Sequence, residues 1–264
     1  GDTIEVASGS YPGDVAVITQ RRLTIVGLGE RPVIDADGRH AEGKAIWVVS
    51  GGDIHIENIA FRGARVPDGN GAGIRLQAGR LQLQRCHFTD NQMGLLSAND
   101  AAIELHIGDS LFADAPPNRG GLPHLLYVGT IARFTLSGSH FSHGRHAHLV
   151  KSRARESLIR NNQLVDGEGG SAAYELEFPN GGLAWVIGNL IGQSADSSNP
   201  VVLSFGAEGS DDREQGLFMA HNTVVSAGMP MAPPWLSITT GCFRSAESFW
   251  PSSRATTSAG PPAA

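Results

Sequence analysis

A nine-residue phrase recurs seven times along this chain. It reads IENIAFRGA at 56–64, LQRCHFTDN at 83–91, IGDSLFADA at 107–115, LSGSHFSHG at 136–144, IRNNQLVDG at 159–167, VIGNLIGQS at 186–194 and MAHNTVVSA at 219–227. Its first residue is always Ile, Leu, Val or Met, and its sixth runs Phe61, Phe88, Phe112, Phe141, Leu164, Ile191, Val224. The starts lie 23 to 33 residues apart. Such self-similarity marks a repeat architecture, in which each unit buries its apolar side only by stacking on its neighbours.

Two short alternating apolar runs precede each phrase, separated by Gly, Asn or Pro, as at Gly51-Gly52, Ala78-Gly79, Asn99-Asp100 and Pro179-Asn180. The unit is thus strand, bend, strand, bend, short strand, loop, with no sustained helical period. Three short strands per repeat predict an all-β fold, a parallel β-helix of about eight turns over residues 1–226. A leucine-rich solenoid would need a helix per repeat, and a β-sandwich would need two-residue hairpins; neither signature is present. The fourth phrase position runs Ile59, Cys86, Ser110, Ser139, Asn162, Asn189, Asn222. That run predicts a stacked ladder at a bend, where Asn tolerates left-handed backbone. Residues 227–264 hold six prolines and no further phrase, and are expected to be a disordered or non-native tail adding no coil.

Composition narrows the partners. Asp plus Glu is 26 against 20 Lys plus Arg, a formal charge of −6, so no nucleic-acid partner is expected. No apolar run is long enough for a membrane span. Cys86 and Cys242 form neither a disulfide framework nor a metal quartet. The chain opens on Gly1 without a signal peptide, so compartment must be inferred indirectly.

Strand alternation lets equivalent positions be stacked. Aligning HLLYVG at 124–129, HLVKSR at 148–153 and YELEFP at 174–179 turns Leu126, Val150 and Leu176 inward. Tyr127, Lys151 and Glu177 then face outward, extended by Arg75 and Leu96 on one side and Ser204 on the other, as an exposed polar groove wall. Glu175, two residues before Glu177, is placed on that same face. His140, His143, Arg145, His146, His148, Lys151, Arg153, Arg155 and Arg160 form a basic run beside it, suited to an extended anionic polymer. Lys151 reads either as a general base with Arg153 beside it or as one half of an ion pair with Glu177. His146 and His148 alternate on one strand as metal ligands sometimes do, and His124 and His148 read equally as stacked core histidines. Asn180 at the Pro179-Asn180 bend joins the candidate substrate-binding set of Arg75, His124, His146, His148 and Glu175.

The repeats resemble the right-handed parallel β-helix proteins of the pectate-lyase-like superfamily. Within it, HAHLVKSRARESLIRNN at 146–162 resembles the alginate lyase and chondroitinase B family, in which a Lys-Ser pair on a strand, followed by an Asn-bearing bend, supplies the catalytic base. Lys151 and Ser152 match that pair, with about two more residues before the bend. One coil on, the family carries an Arg-His-Gly; here Leu176-Glu177-Phe178 stands there. The family's acidic metal ligands correspond to His146 and His148. The resemblance implies a secreted or periplasmic protein with no required cofactor, and a divalent cation, calcium, as the candidate one. The VKSRA and YELEFPNGG coils are similar to those of bacterial β-helix repeat proteins without settled activity.

Three functions follow. One is a lyase or epimerase on an anionic uronic-acid polysaccharide, with Lys151 as base, Arg153 or Arg75 neutralising the sugar carboxylate, and Tyr127 or a histidine as proton donor. The second is a non-catalytic carbohydrate-binding scaffold. The third is an inverting glycoside hydrolase using Glu175 and Glu177.

Overall fold

A computed structural model describes residues 1–117, 123–197, 199–210, 213–227 and 236–238. Among these the chain is all strand and turn, without a helix, and every pairing between named strands is parallel. The architecture is a parallel β-solenoid of about seven turns, consistent with a right-handed parallel β-helix and with the pectate-lyase-like fold. That is about one turn fewer than the eight expected, and the outermost strands, Asp2–Val6 and Gly216–Ala220, are more exposed than those between them.

Three faces enclose the core. The first carries Leu126–Val128, His148–Ser152, Tyr174–Phe178 and Leu203–Phe205 in sequence. The second stacks Glu104–Gly108, Arg133–Ser137, Glu156–Arg160, Leu183–Ile187 and Gly216–Ala220. The third is a separate sheet of 9 strands. The first two faces merge into one 16-stranded sheet, because Ala45–Glu57 and Ala72–Gln84 run round the corner as continuous strands, paired on both sides of a register shift at residues 49–53. Gly52 and Gly79 allow that corner. A Cβ on Gly79 would lie 2.4 Å from the Gly52 carbonyl oxygen of the coil beneath.

The phrase supplies the core. Its first position forms an inward column from Ile56 through Leu83, Ile107, Leu136 and Ile159 to Val186. Its sixth position forms the column on the third face. There the buried rings of Phe61, Phe88, Phe112 and Phe141 stack with centroids 5.2, 4.5 and 4.7 Å apart, as their spacing predicted. The polar ladder is present too. Asn162 Nδ2 donates to Asn189 Oδ1 at 2.9 Å, and Asn189 Nδ2 donates to Asn222 Oδ1 at 3.0 Å. One detail differs. The left-handed residues are at position three, including Asn58, Arg85, Asp109, Asn161 and His221, and the ladder residue follows them. The bend turns on position three, so position four points inward and uses its amide to satisfy backbone N–H groups of the preceding coil. Cys86 is a buried member of that column, while Cys242 lies outside the described residues.

Beyond residue 226 one further strand is described. Leu236–Ile238 pairs with Leu203–Phe205 and extends the first face. The rest of the tail lies outside the described residues.

Candidate functional site

The outer column of the first face runs in register from Arg75 through Leu96, Tyr127, Lys151 and Glu177 to Ser204, as the alignment of inward residues predicted. The expectation of an exposed groove is corrected. Lys151 is 8% exposed and Glu177 4%. The segment after Leu203–Phe205 folds back over them. Gly206 N donates to Phe178 O and Glu208 N to Pro179 O, which carries the Glu208 carboxylate across the column.

The result is a charge network. Lys151 Nζ donates to Glu208 Oε1 at 3.0 Å and lies 2.9 Å from Glu177 Oε2. Arg153 Nη2 meets Glu208 Oε2 at 2.6 Å, Nε donates to the Tyr127 hydroxyl at 2.8 Å, and Nη1 donates to Asn180 Oδ1 at 2.5 Å. His148 Nδ1 stands 3.0 Å from Glu177 Oε2. The His148 and Lys151 approaches to that oxygen lie off hydrogen-bond alignment. Behind them the His148 ring makes edge-on contacts with His124 and with Tyr174, each at 4.8 Å, and His148 N donates to His124 Nδ1.

The electrostatics follow from this packing. Burial would raise the Glu177 carboxyl, but His148 and Lys151 outweigh it and bring it down to about 2. Burial opposes ionisation of Glu208 as well, and Arg153 and Lys151 hold it below the usual carboxylate range. Burial lowers His124 well below an ordinary histidine, reinforced by His148 and Lys151. A proton-accepting amine needs a free lone pair; here the Lys151 ammonium is engaged by two carboxylates. The Lys151–Glu177 ion pair is present, and the arrangement is at rest a carboxylate-holding one.

Of the residues singled out in the sequence, the fold brings together Tyr127, Lys151, Arg153, Glu177, His124, His148 and Asn180. Three fall elsewhere. Arg75 keeps its place in the column but lies beyond Leu96. Burial depresses its guanidinium, and its Nε is buried without a hydrogen-bond partner among the described residues. His146 is exposed with left-handed backbone, ahead of the strand that holds His148.

Glu175 is inside the solenoid rather than beside Glu177. The N–H groups of Glu175 and Leu176 both donate to Val202 O, and this local bulge resets the alternation at the strand's entry. The fully buried Glu175 side chain approaches Gln193 Nε2 at 3.4 Å, and burial plus the neighbouring Asp166 push it up to about 9. The two glutamates therefore cannot flank one glycosidic bond, which removes the arrangement a hydrolase would use. The basic run is also dispersed. His140 lies on the third face and Arg160 on the second, while His148, Lys151 and Arg153 are matched by acids.

Glu208 and Tyr174 were not foreseen. The glycines of FGAEGS were a turn signal for Glu208, but its reach over the column depends on loop path. The set does not fit calcium, which takes six to eight oxygens. Oxygens of Glu177 and Glu208 are occupied by Lys151 and Arg153, and among the described residues no three His, Cys, Asp or Glu converge on one point.

No family model matches this chain, and no curated protein matches it. The β-helix fold fits carbohydrate-active proteins in general.

Proposed function

We propose that this protein is a lyase acting on a uronic-acid-containing polysaccharide outside the cytoplasm. The observation that carries the reading is the Glu208 carboxylate, held by Lys151 Nζ at 3.0 Å and Arg153 Nη2 at 2.6 Å on the outer side of the column. A guanidinium that holds a carboxylate, with an amine beside it, is the chemistry that neutralises a sugar carboxylate, stabilises the developing enolate and takes the proton from the neighbouring C–H.

In this reading the substrate carboxylate displaces Glu208 and is held by Arg153. Lys151, released from Glu208, passes a proton to solvent water and becomes the base. It takes the proton beside the sugar carboxylate, and that electron pair forms the ring double bond. The bond to the leaving oxygen breaks, and the Tyr127 hydroxyl returns a proton to that oxygen. An epimerase would share the first step and return the proton to carbon from the opposite side.

The test is a panel of anionic polysaccharides incubated with the full chain and with Lys151→Ala. Ultraviolet absorbance of unsaturated product from the parent, lost in the variant while polymer binding is retained, supports the lyase. Solvent deuterium entering the polymer without cleavage indicates the epimerase. Binding without either marks a scaffold and overturns the catalytic reading.

A further inference from the structure

The second face carries an aromatic wall that the site chemistry does not use. On its outer side the column His106, Thr135, Leu158, Trp185, Phe218 runs in register over five successive strands. The rings of Trp185 and Phe218 stack at 5.5 Å with 12° between their planes, and Phe218 is 51% exposed. Rings stacked on adjacent rungs present their faces along the solenoid axis. Phe218 therefore covers one face of the Trp185 indole. The other face looks over the shorter Leu158 into a depression of about 510 Å³, lined further by His106, Arg133, Thr135 and Glu156.

The polar groups of this depression are those that read hydroxyls. Arg133 donates from both Nε and Nη2 to the single oxygen Glu156 Oε2, at 3.1 and 3.0 Å. This pairing cancels the charge of both groups and commits neither Arg133 Nη1 nor Glu156 Oε1. A donor and an acceptor are thereby left over at this pair. His106 Nε2 is buried without a hydrogen-bond partner among the described residues. It lies beside the Glu104 carboxylate at 3.5 Å. A pyranose ring has an apolar C–H face that packs on an aromatic plate and equatorial hydroxyls that need paired donors and acceptors. The lining has no net charge from its Arg–Glu pair, which suits the ring of a sugar rather than its carboxylate.

We propose that this depression is a sugar-binding subsite, distinct from the Lys151–Arg153 site, in which Trp185 packs against one pyranose ring of a polysaccharide. It shares with the proposed function the premise that the ligand is a polysaccharide, and is independent of the chemistry at Lys151. On a solenoid, a second subsite on another face holds a long polymer while the first face works on it.

The experiment measures binding of cellohexaose and of hexagalacturonate, separately, to the full chain by calorimetry and tryptophan fluorescence. The expected result is saturable binding of at least one, weakened tenfold or more by Trp185→Ala. Trp185→Phe, which keeps a flat ring, should restore much of the affinity. Leu158→Trp, which fills the depression from an outward position, should abolish it without loss of the thermal transition. Absence of binding by both oligosaccharides overturns the proposal. So does equal affinity in parent and Trp185→Ala, or loss only in Lys151→Ala. A shift from dimer to monomer by sedimentation in Trp185→Ala would reassign the wall to self-association and equally refute a sugar site. Failure of the lyase assay with retained Trp185-dependent binding would refute the proposed function alone.

Discussion

Glu175 gives the sharpest test of the folded arrangement, because a buried carboxyl makes stability depend on pH. Its carboxyl moves from 4.5 to about 9 on folding. Between those values the unfolded chain has released the proton and the native state keeps it. Stability attributable to this group is therefore fully present below pH 4.5 and is lost as pH rises towards 9. The loss is about 1.4 kcal/mol for each pH unit, so about 3 kcal/mol is gone by pH 7. Glu175→Gln replaces the protonated acid by a neutral group of the same shape, and Gln193 Nε2 retains an oxygen to face. Urea unfolding of parent and variant from pH 4 to 9 should give curves that coincide near pH 4.5 and then diverge, the variant more stable. Asp166 is raised by burial too, but its titration is present in both proteins and largely cancels in the comparison. Parallel curves, or a variant destabilised at every pH, would refute the placement of this carboxyl inside the solenoid.

Glu208→Gln removes a carboxylate that competes for Lys151 and Arg153, and should tighten binding of free galacturonate about three- to tenfold by calorimetry; weaker binding would show that Glu208 builds the site instead of occluding it. Phe112→Ala opens a void between Phe88 and Phe141 in the stack and should cost about 3–5 kcal/mol in denaturant unfolding. Asn189→Ala strips partners from the N–H and side-chain amide of Asn162, and should cost about 2–4 kcal/mol with faster amide exchange at residue 162.

The fold was legible because its core is written by a local pattern: an aliphatic at position one and a ring or aliphatic at position six recur whatever lies between. The register of Tyr127, Lys151 and Glu177 was legible for the same reason, since inward Leu126, Val150 and Leu176 fix it. What failed was what alternation cannot encode. Glu175 turns inward because two N–H groups share the Val202 carbonyl, a bulge with no signature in YELEF. Burial of Lys151 depends on where the 206–210 segment travels, which is set by loop length and not by strand pattern. His146 falls outside the strand because its own backbone is left-handed, so the alternation begins only at His148.

The two internal stacks divide the molecule between them. Aromatic rings run from Phe61 to Phe141, and amides take over from Asn162 to Asn222. Both columns sit in one continuous apolar core, which runs on through Leu164, Ile191 and Phe205. Cold weakens apolar contact, so the aromatic column yields to it more than the amide one. Lys151 lies between Phe141 and Asn162, at the splice. Chilling therefore loosens the aromatic column up to that seam, while heat frays the chain from the more exposed strands at its outer coils inward.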